Sequence, residues 1–495
     1  MYLLGIDLGT SSIKVAVVDV ATQQNIATAQ YPEEETAIKS LQTGWAEQSP
    51  NDWWFNVQQA ILKLNATALF DPKEIKAIGI AYQMHGLVVV DQNQQVLRDS
   101  IIWCDSRAID LGNQAFEAIG EEKALKHLLN SPGNFTASKL AWVKANEPDI
   151  YGRIDKMMLP GDFIAMKLTG EITTSISALS EGIFWDFKNH EISNDVLHYY
   201  GIDEHLIPAV RPLFSAHGHL KTDVATALGL TSGIPVAYKS GDQPNNALSL
   251  NVLRPGEVAA TAGTSGVIYG VSNDLTYDKQ SRVNTFAHVT YSEEKKHTGV
   301  LLCINGTGSM YRWAKHNFAP LATYAELNKL ASEAPIGSNG LKLLPFGNGA
   351  ERMLNNKYTG AQFLGIDLNT HNPSDIFRAV QEGIAFSFRY GLDIMRENGM
   401  SPKVIRAGRA NLFLSEVFAQ TFVDVTGIPV EFYENDGSVG AALGAGIGAG
   451  IFKSAEEAFT NHEIIKTLSP KHSVVYEPIY QDWKKILEKQ LSIGS

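Results

Sequence analysis

The chain has 495 residues, 44% of them hydrophobic and 19% charged, which is too long for one ordinary core and too apolar for a disordered chain. A formal net charge of −12, with Lys and Arg scattered rather than gathered into a stripe, excludes a nucleic-acid partner, whose phosphates demand a basic face. Only two cysteines occur, Cys104 (IIWCDSR) and Cys303 (VLLCING), so there is no disulfide framework and no zinc spacing; with a strand from Tyr2 in place of a leader and no run of membrane-spanning length, the expectation is a cytoplasmic protein without a membrane partner, its thiols reduced and packed.

In chain order, apolar runs predict strands over 2–8, 13–19 and 26–30, a meander broken by turn residues. Asp52 is a candidate helix cap before Trp54, Val57, Ile61, Leu64 and Ala68, spaced as one face of an amphipathic helix. Strands resume over 75–82 and 87–91 with the turn QMHG (83–86) between them, at a strand end where sites in alternating α/β folds sit. From 108 to 231 short helices, Pro and Gly breaks and aromatic residues read as elaboration on a first lobe. The run 234–240 predicts a strand delivering Gly241 and Asp242 to a loop. In the second half, 299–304 and 404–407 read as strands and 375–398 as a helix with Ile376, Val380, Ile384, Phe388 and Leu392 on one stripe. The stretch 440–450 (GAALGAGIGAG) reads as a helix of small residues that packs close to a neighbour, and 480–491 as a surface helix.

Two segments roughly 250 residues apart say nearly the same thing: GIDLGTSSIKVAVV at 5–18 and ATAGTSGVIYGV at 260–271. Each predicts strand, GTS turn, strand, a hairpin whose backbone amides can face a phosphate. An ordinary hairpin accounts for one such turn, but duplication in matching context points to one nucleotide gripped between two lobes, 1–245 and 246–495. No GxxxxGK[ST] loop is present, so the hairpin amides, with hydroxyls from Thr10, Ser11, Ser12 and Thr264 beside Gly263, and Lys14 in the next strand, are the candidate phosphate ligands. Asp7 stands just before the first turn among apolar neighbours; it either bonds the hairpin amides or faces a magnesium ion through water beside the phosphates. Asp242 in KSGDQPNN is placed as a general base for phosphoryl transfer, although a loop or cap aspartate fits the spacing equally, and Asp105, Arg107 and Asp162 are rivals.

In order and spacing, GIDLGTSSIK, QMHG, IIWCDSR, FTASKLAW, SGDQ, the second GTSG, NGTGSMYRW, AGRAN and GAALGAG resemble the FGGY family of carbohydrate kinases, over residues 2–480. The resemblance implies an α/β, two-lobed actin/hexokinase-like (ribonuclease H-like) ATPase fold with a mixed sheet in each lobe and ATP and sugar in the cleft between. It implies ATP and Mg2+ as cofactors, Asp242 as catalytic base, Met84, His85, Gln243 and Trp103 around the sugar, and Asp7 on the magnesium side. Thr264, Gly308, Gly408 and Asn411 would surround the nucleotide, with Arg409 stacking on or crowding the base. QMHG is similar to the branch acting on xylulose, whereas Gln243 is shared with the glycerol branch, so D-xylulose is the foremost substrate, with another ketose, a polyol or a sugar acid open beside it. A homodimer is compatible with the family, and an actin-like ATPase acting on protein partners is the alternative of another class.

Overall fold

The computed structural model describes residues 1–493. Among them are two large mixed sheets built to one plan. In the first, the order is Val236–Gly241, Ile75–Tyr82, Tyr2–Leu8, Ile13–Asp19, Asn25–Tyr31. The first three strands run parallel and the last three form the antiparallel meander, with Asp7 opposite Lys14 across the hairpin. In the second sheet, Val430–Tyr433, Val404–Gly408 and Glu257–Ala262 are parallel, and Glu257–Ala262, Gly266–Ser272 and Thr298–Ile304 form the matching meander. Asn284–Ala287 and Lys466–Leu468 extend its two edges.

The duplication extends to helices. Strand Val236–Gly241 runs into helix Asp242–Ser249, and strand Val430–Tyr433 is followed by helix Gly437–Gly448. These two helices pack on each other, and the second lies across the first sheet. Its small residues explain how: a Cβ at Gly5 would strike the Ser438 carbonyl, one at Gly79 the Ala441 carbonyl, and one at Gly448 the Ala237 carbonyl. Backbone meets backbone there, which only glycine permits. The helix therefore belongs by sequence to the second half and by packing to the core of Leu3, Ala77, Ala237, Tyr238 and Ala441 under the first sheet.

Several expected elements differ in detail. The first helix is Pro50–Asn65, capped by Ser49 with Pro50 at its first position, so Asp52 lies inside the first turn, Trp53 rather than Trp54 is buried, and Ala68 falls beyond the end at φ 55°. Asp242 opens a helix instead of entering a loop. The last helix, Ser473–Ile493, is no mere surface element: Tyr476, Tyr480, Trp483 and Leu487 are buried in the second core, and the Trp483 indole donates to the Leu343 carbonyl at 2.7 Å. Neither cysteine is packed away; both are free and exposed. No helix among the described residues is long and apolar enough to cross a membrane.

Candidate active site

The parallel strands of the first sheet end together, Leu8 opposite Tyr82 and Tyr82 opposite Gly241, so Asp7, the QMHG turn and Asp242 emerge at one edge. Asp242 is the first residue of its helix. Burial, then the neighbouring Asp7, push its carboxyl up to about 7, against a hydrogen bond from the Gln243 backbone that lowers it. Burial, then Asp436, push Asp7 to about 6, opposed by Lys14. Asp436 caps helix Gly437–Gly448 by accepting from the Ser438 N–H at 2.9 Å, and its other oxygen pairs with Lys14 Nζ at 3.3 Å. Gly437 lies so close that a Cβ there would meet Asp7 Oδ2, and its carbonyl accepts from Asn245 at 2.9 Å. Asp7 thus has Asp242 and Asp436 as neighbouring carboxylates and Lys14 as a nearby cation, beside two helix N-termini; the three carboxylates do not close into a tight cage of their own, so a divalent cation among them would need water or phosphate oxygens to complete its shell.

The rival aspartates are spoken for. Asp105 is fully buried, forks onto Arg107 at 2.7–3.0 Å and accepts from the Ala46 N–H; Arg107 also pairs with Glu47 and stacks 3.8 Å over the Trp45 ring. Asp162 is ion-paired at 2.5 Å to the buried Lys239. Asp242 has no cationic partner among the described residues, which leaves its lone pairs available to a hydroxyl proton.

Next to Asp242, Gly241 leads to Met84, Glu181 and His85. Met84 is buried against Gly241, where a Cβ would strike the Met84 side chain and Glu181. His85 sits at φ 63°, and its Nδ1 lies 3.0 Å from the Glu181 carbonyl. Burial, then Lys139, hold the imidazole down to about 3, so it is neutral; a carbonyl partner requires Nδ1 to carry the hydrogen, and Nε2 is left as an acceptor. Gln243 Oε1 is buried without a hydrogen-bond partner. Trp103, half-exposed, donates to Thr10 Oγ1 at 3.0 Å, and Thr10 in turn donates to Gln83, so the Thr10 hydroxyl ties the first hairpin to the QMHG turn.

The second half carries a pocket of about 760 Å³ lined by Gly263, Thr264, Gly308, Asn411, Tyr324 and Leu412 among others. The Gly308 N–H donates to the Gly263 carbonyl at 2.9 Å, fastening the second hairpin to the following helix Gly308–Phe318. Gly408 lies at its strand end against Asn435, outside that lining, and Arg409 does not line it either; Arg312 does. Ser11, Ser12 and Lys14 stand at the first hairpin, apart from this pocket, with Ser11 exposed and its carbonyl accepting from the Thr36 N–H.

Two supporting groups had no role assigned to them from the sequence, although Lys139 lies in FTASKLAW. Lys139, fully buried and pushed down to about 7 chiefly by burial, donates to the His85 and Ile102 carbonyls at 2.9 and 3.0 Å and so fixes the QMHG turn. Glu181, also buried, has one carboxyl oxygen without a partner and is pushed well above the carboxylate range by burial and then by Asp242. An acidic residue in an apolar stretch was the sole signal for Glu181.

Residues 2–249 match the N-terminal domain, and residues 258–450 the C-terminal domain, of the FGGY family of carbohydrate kinases. The chain is 28% identical over 503 residues to a xylulose kinase of Escherichia coli (strain K12), covering all of both proteins, and 31% identical over 470 residues to one of Bacillus subtilis (strain 168), covering 92% of this chain and 90% of that one. The solved xylulose kinase of Rhodospirillum rubrum superposes with a TM-score of 0.88 at 26% identity over 99% of each chain. The chain belongs to the FGGY family of carbohydrate kinases. Its fold is accordingly the two-lobed actin/hexokinase-like one, and it is an ATP:sugar phosphotransferase, which sets aside an ATPase acting on protein partners.

Proposed function

We propose that the protein phosphorylates D-xylulose to D-xylulose 5-phosphate with MgATP, as the names of its relatives suggest. The observation carrying the proposal is the Asp242 carboxyl, raised to about 7 and without a cationic partner among the described residues, next to the Gly241 that packs on Met84 and Glu181. In this reading Met84, His85, Gln243 and Trp103 hold the sugar, His85 Nε2 accepting from a hydroxyl. Asp242 takes the proton of the terminal hydroxyl as that oxygen forms its bond to the γ-phosphorus, and the β,γ-bridging bond breaks to release ADP. The two hairpins, with Thr10, Ser11, Ser12 and Lys14 on one and Gly263 and Thr264 on the other, flank the phosphates, while Gly308 and Asn411 border the nucleoside and Gly408 stands at the strand end outside that pocket. Asp7 would hold magnesium through water, with Asp436 adjacent, and a cation held there would supply positive charge between the phosphate oxygens and the carboxylates. The helices' N-termini add their dipoles to the same end.

The division into 1–245 and 246–495 is part of this proposal, with the crossing helix Gly437–Gly448 as its exception, and so are action in the cytoplasm and a homodimeric assembly. An ADP-release assay across pentuloses, hexuloses, glycerol and gluconate tests the substrate. D-xylulose should give the highest kcat/KM; a higher value for glycerol or gluconate would overturn that choice while leaving the kinase chemistry intact.

A further inference from the structure

The neutral His85 leaves a gap in the recognition of a ketose. With Nδ1 donating to the Glu181 carbonyl, Nε2 accepts from a hydroxyl and has nothing to offer a carbonyl oxygen, which needs a donor. A donor stands opposite. Arg352 comes from the second half of the chain, at the start of the short turn Arg352–Leu354, with its guanidinium carbon 6.0 Å from the centre of the Phe135 ring; that ring packs edge-on against His85 at 4.8 Å. Phe286 closes the same cluster, 5.4 Å from His85 and 5.9 Å from Phe135.

The arginine is held there by its neighbours. The Glu351 carboxylate accepts from the Asn305 N–H at 2.9 Å and from the Gly306 N–H at 3.3 Å, just past the strand that carries Cys303, and Met353 and Leu354 are buried in the second core. Yet the guanidinium itself has no hydrogen bond or ion pair to any described residue, although it is partly buried, and burial lowers its pKa. Its other charge effects point the same way, since it helps depress His85 and lowers the Cys303 thiol. An arginine fixed by its chain neighbours but unpaired at its tip, with donors only, is a ligand contact in waiting.

We propose that Arg352 reads the ketose carbonyl across the cleft, making it a sugar-contacting residue that discriminates a ketose from the matching polyol. The inference rests on the kinase reading above and deepens it. Arg352→Leu and Arg352→Lys should be compared with the unmodified enzyme on D-xylulose and on its C2-reduced counterpart, xylitol. The leucine variant is expected to lose about 10- to 100-fold in kcat/KM for the ketose and far less for the polyol, with the KM for ATP unchanged and the lysine variant intermediate. An equal loss on both acceptors, or no loss on the ketose, overturns the proposal; an unmodified enzyme that phosphorylates no sugar overturns the kinase reading instead. Because a purely structural role would lower both acceptors together, the ratio decides even if the variant is less stable.

Discussion

Replacing Asp242 by Asn separates the two consequences of its setting, one chemical and one energetic. If the carboxylate is the base, the variant loses about 10² to 10⁴ in kcat while retaining ATP. The unmodified enzyme should lose kcat/KM by about tenfold per pH unit as pH falls below about 7, where Asp242 takes up its proton, whereas the variant shows no such limb. Stability moves the other way. A carboxyl whose pKa rises from 3.8 to about 7 costs at most about 4 kcal/mol extra to ionise. Because Asp242 is partly open to cleft water, roughly 1–2 kcal/mol of that is realised. The sign follows from proton uptake: between the ordinary and the raised pKa the folded state holds a proton the unfolded chain has shed, so this carboxyl favours folding at low pH and loses that contribution as pH rises through about 7. Thermal unfolding at pH 8 should therefore find Asp242→Asn more stable than the unmodified protein, with the gap narrowing towards pH 5. Undiminished turnover would remove Asp242 from the chemistry, and a stability gap independent of pH would refute the assignment of its raised pKa.

The helix that crosses onto the first sheet should be intolerant of any side chain beneath it. Gly79→Ala puts a methyl into the Ala441 carbonyl and should cost about 1–3 kcal/mol, read as a lower urea midpoint at constant m. For His85, the buried neutral imidazole predicts proton resonances that stay flat from pH 5 to pH 8, its pKa being about 3; a titration near 6.5 would show that the ring is charged in use and that Nε2 is a donor.

Local signals were legible in the sequence and long-range ones were not. The first hairpin, the parallel strands and helix Pro373–Glu397 were readable because alternation and helical spacing repeat within a few turns. The small residues of 440–450 announced close packing, but not that the partner is the sheet of the other half. Asp242 was picked out by its motif, while its position opening a helix was not, since SGDQPNN carries the glycine, proline and asparagines of a loop. The terminal helix reads as a surface element because Tyr476 and Trp483 lie among charged residues, and their burial depends on partners from Leu343 to Thr421, 55 to 140 residues earlier. Lys139 lies in the FTASKLAW motif, but its role, like those of Glu181 and Arg352, emerges only once His85 is beside it.

The repeated plan also accounts for where the charge gathers. Each half contributes a strand of its parallel set followed by a helix, and the pair of helices lies side by side, with Asn245 bonded to the Gly437 carbonyl and Asn435 to Asn246. Their N-termini are consequently neighbours, bringing Asp242 and Asp436 to the edge where Asp7 already stands. Asp7 has Asp242 and Asp436 as neighbouring carboxylates and Lys14 beside it, and the raised pKa values of Asp7 and Asp242 register burial first and this mutual repulsion second. On the proposed reading Asp7, with Asp436 adjacent, would hold a divalent cation whose charge would offset this repulsion, while Asp242, which has no cationic partner among the described residues, keeps a raised pKa and so accepts the proton of a sugar hydroxyl more readily than an ordinary carboxylate would.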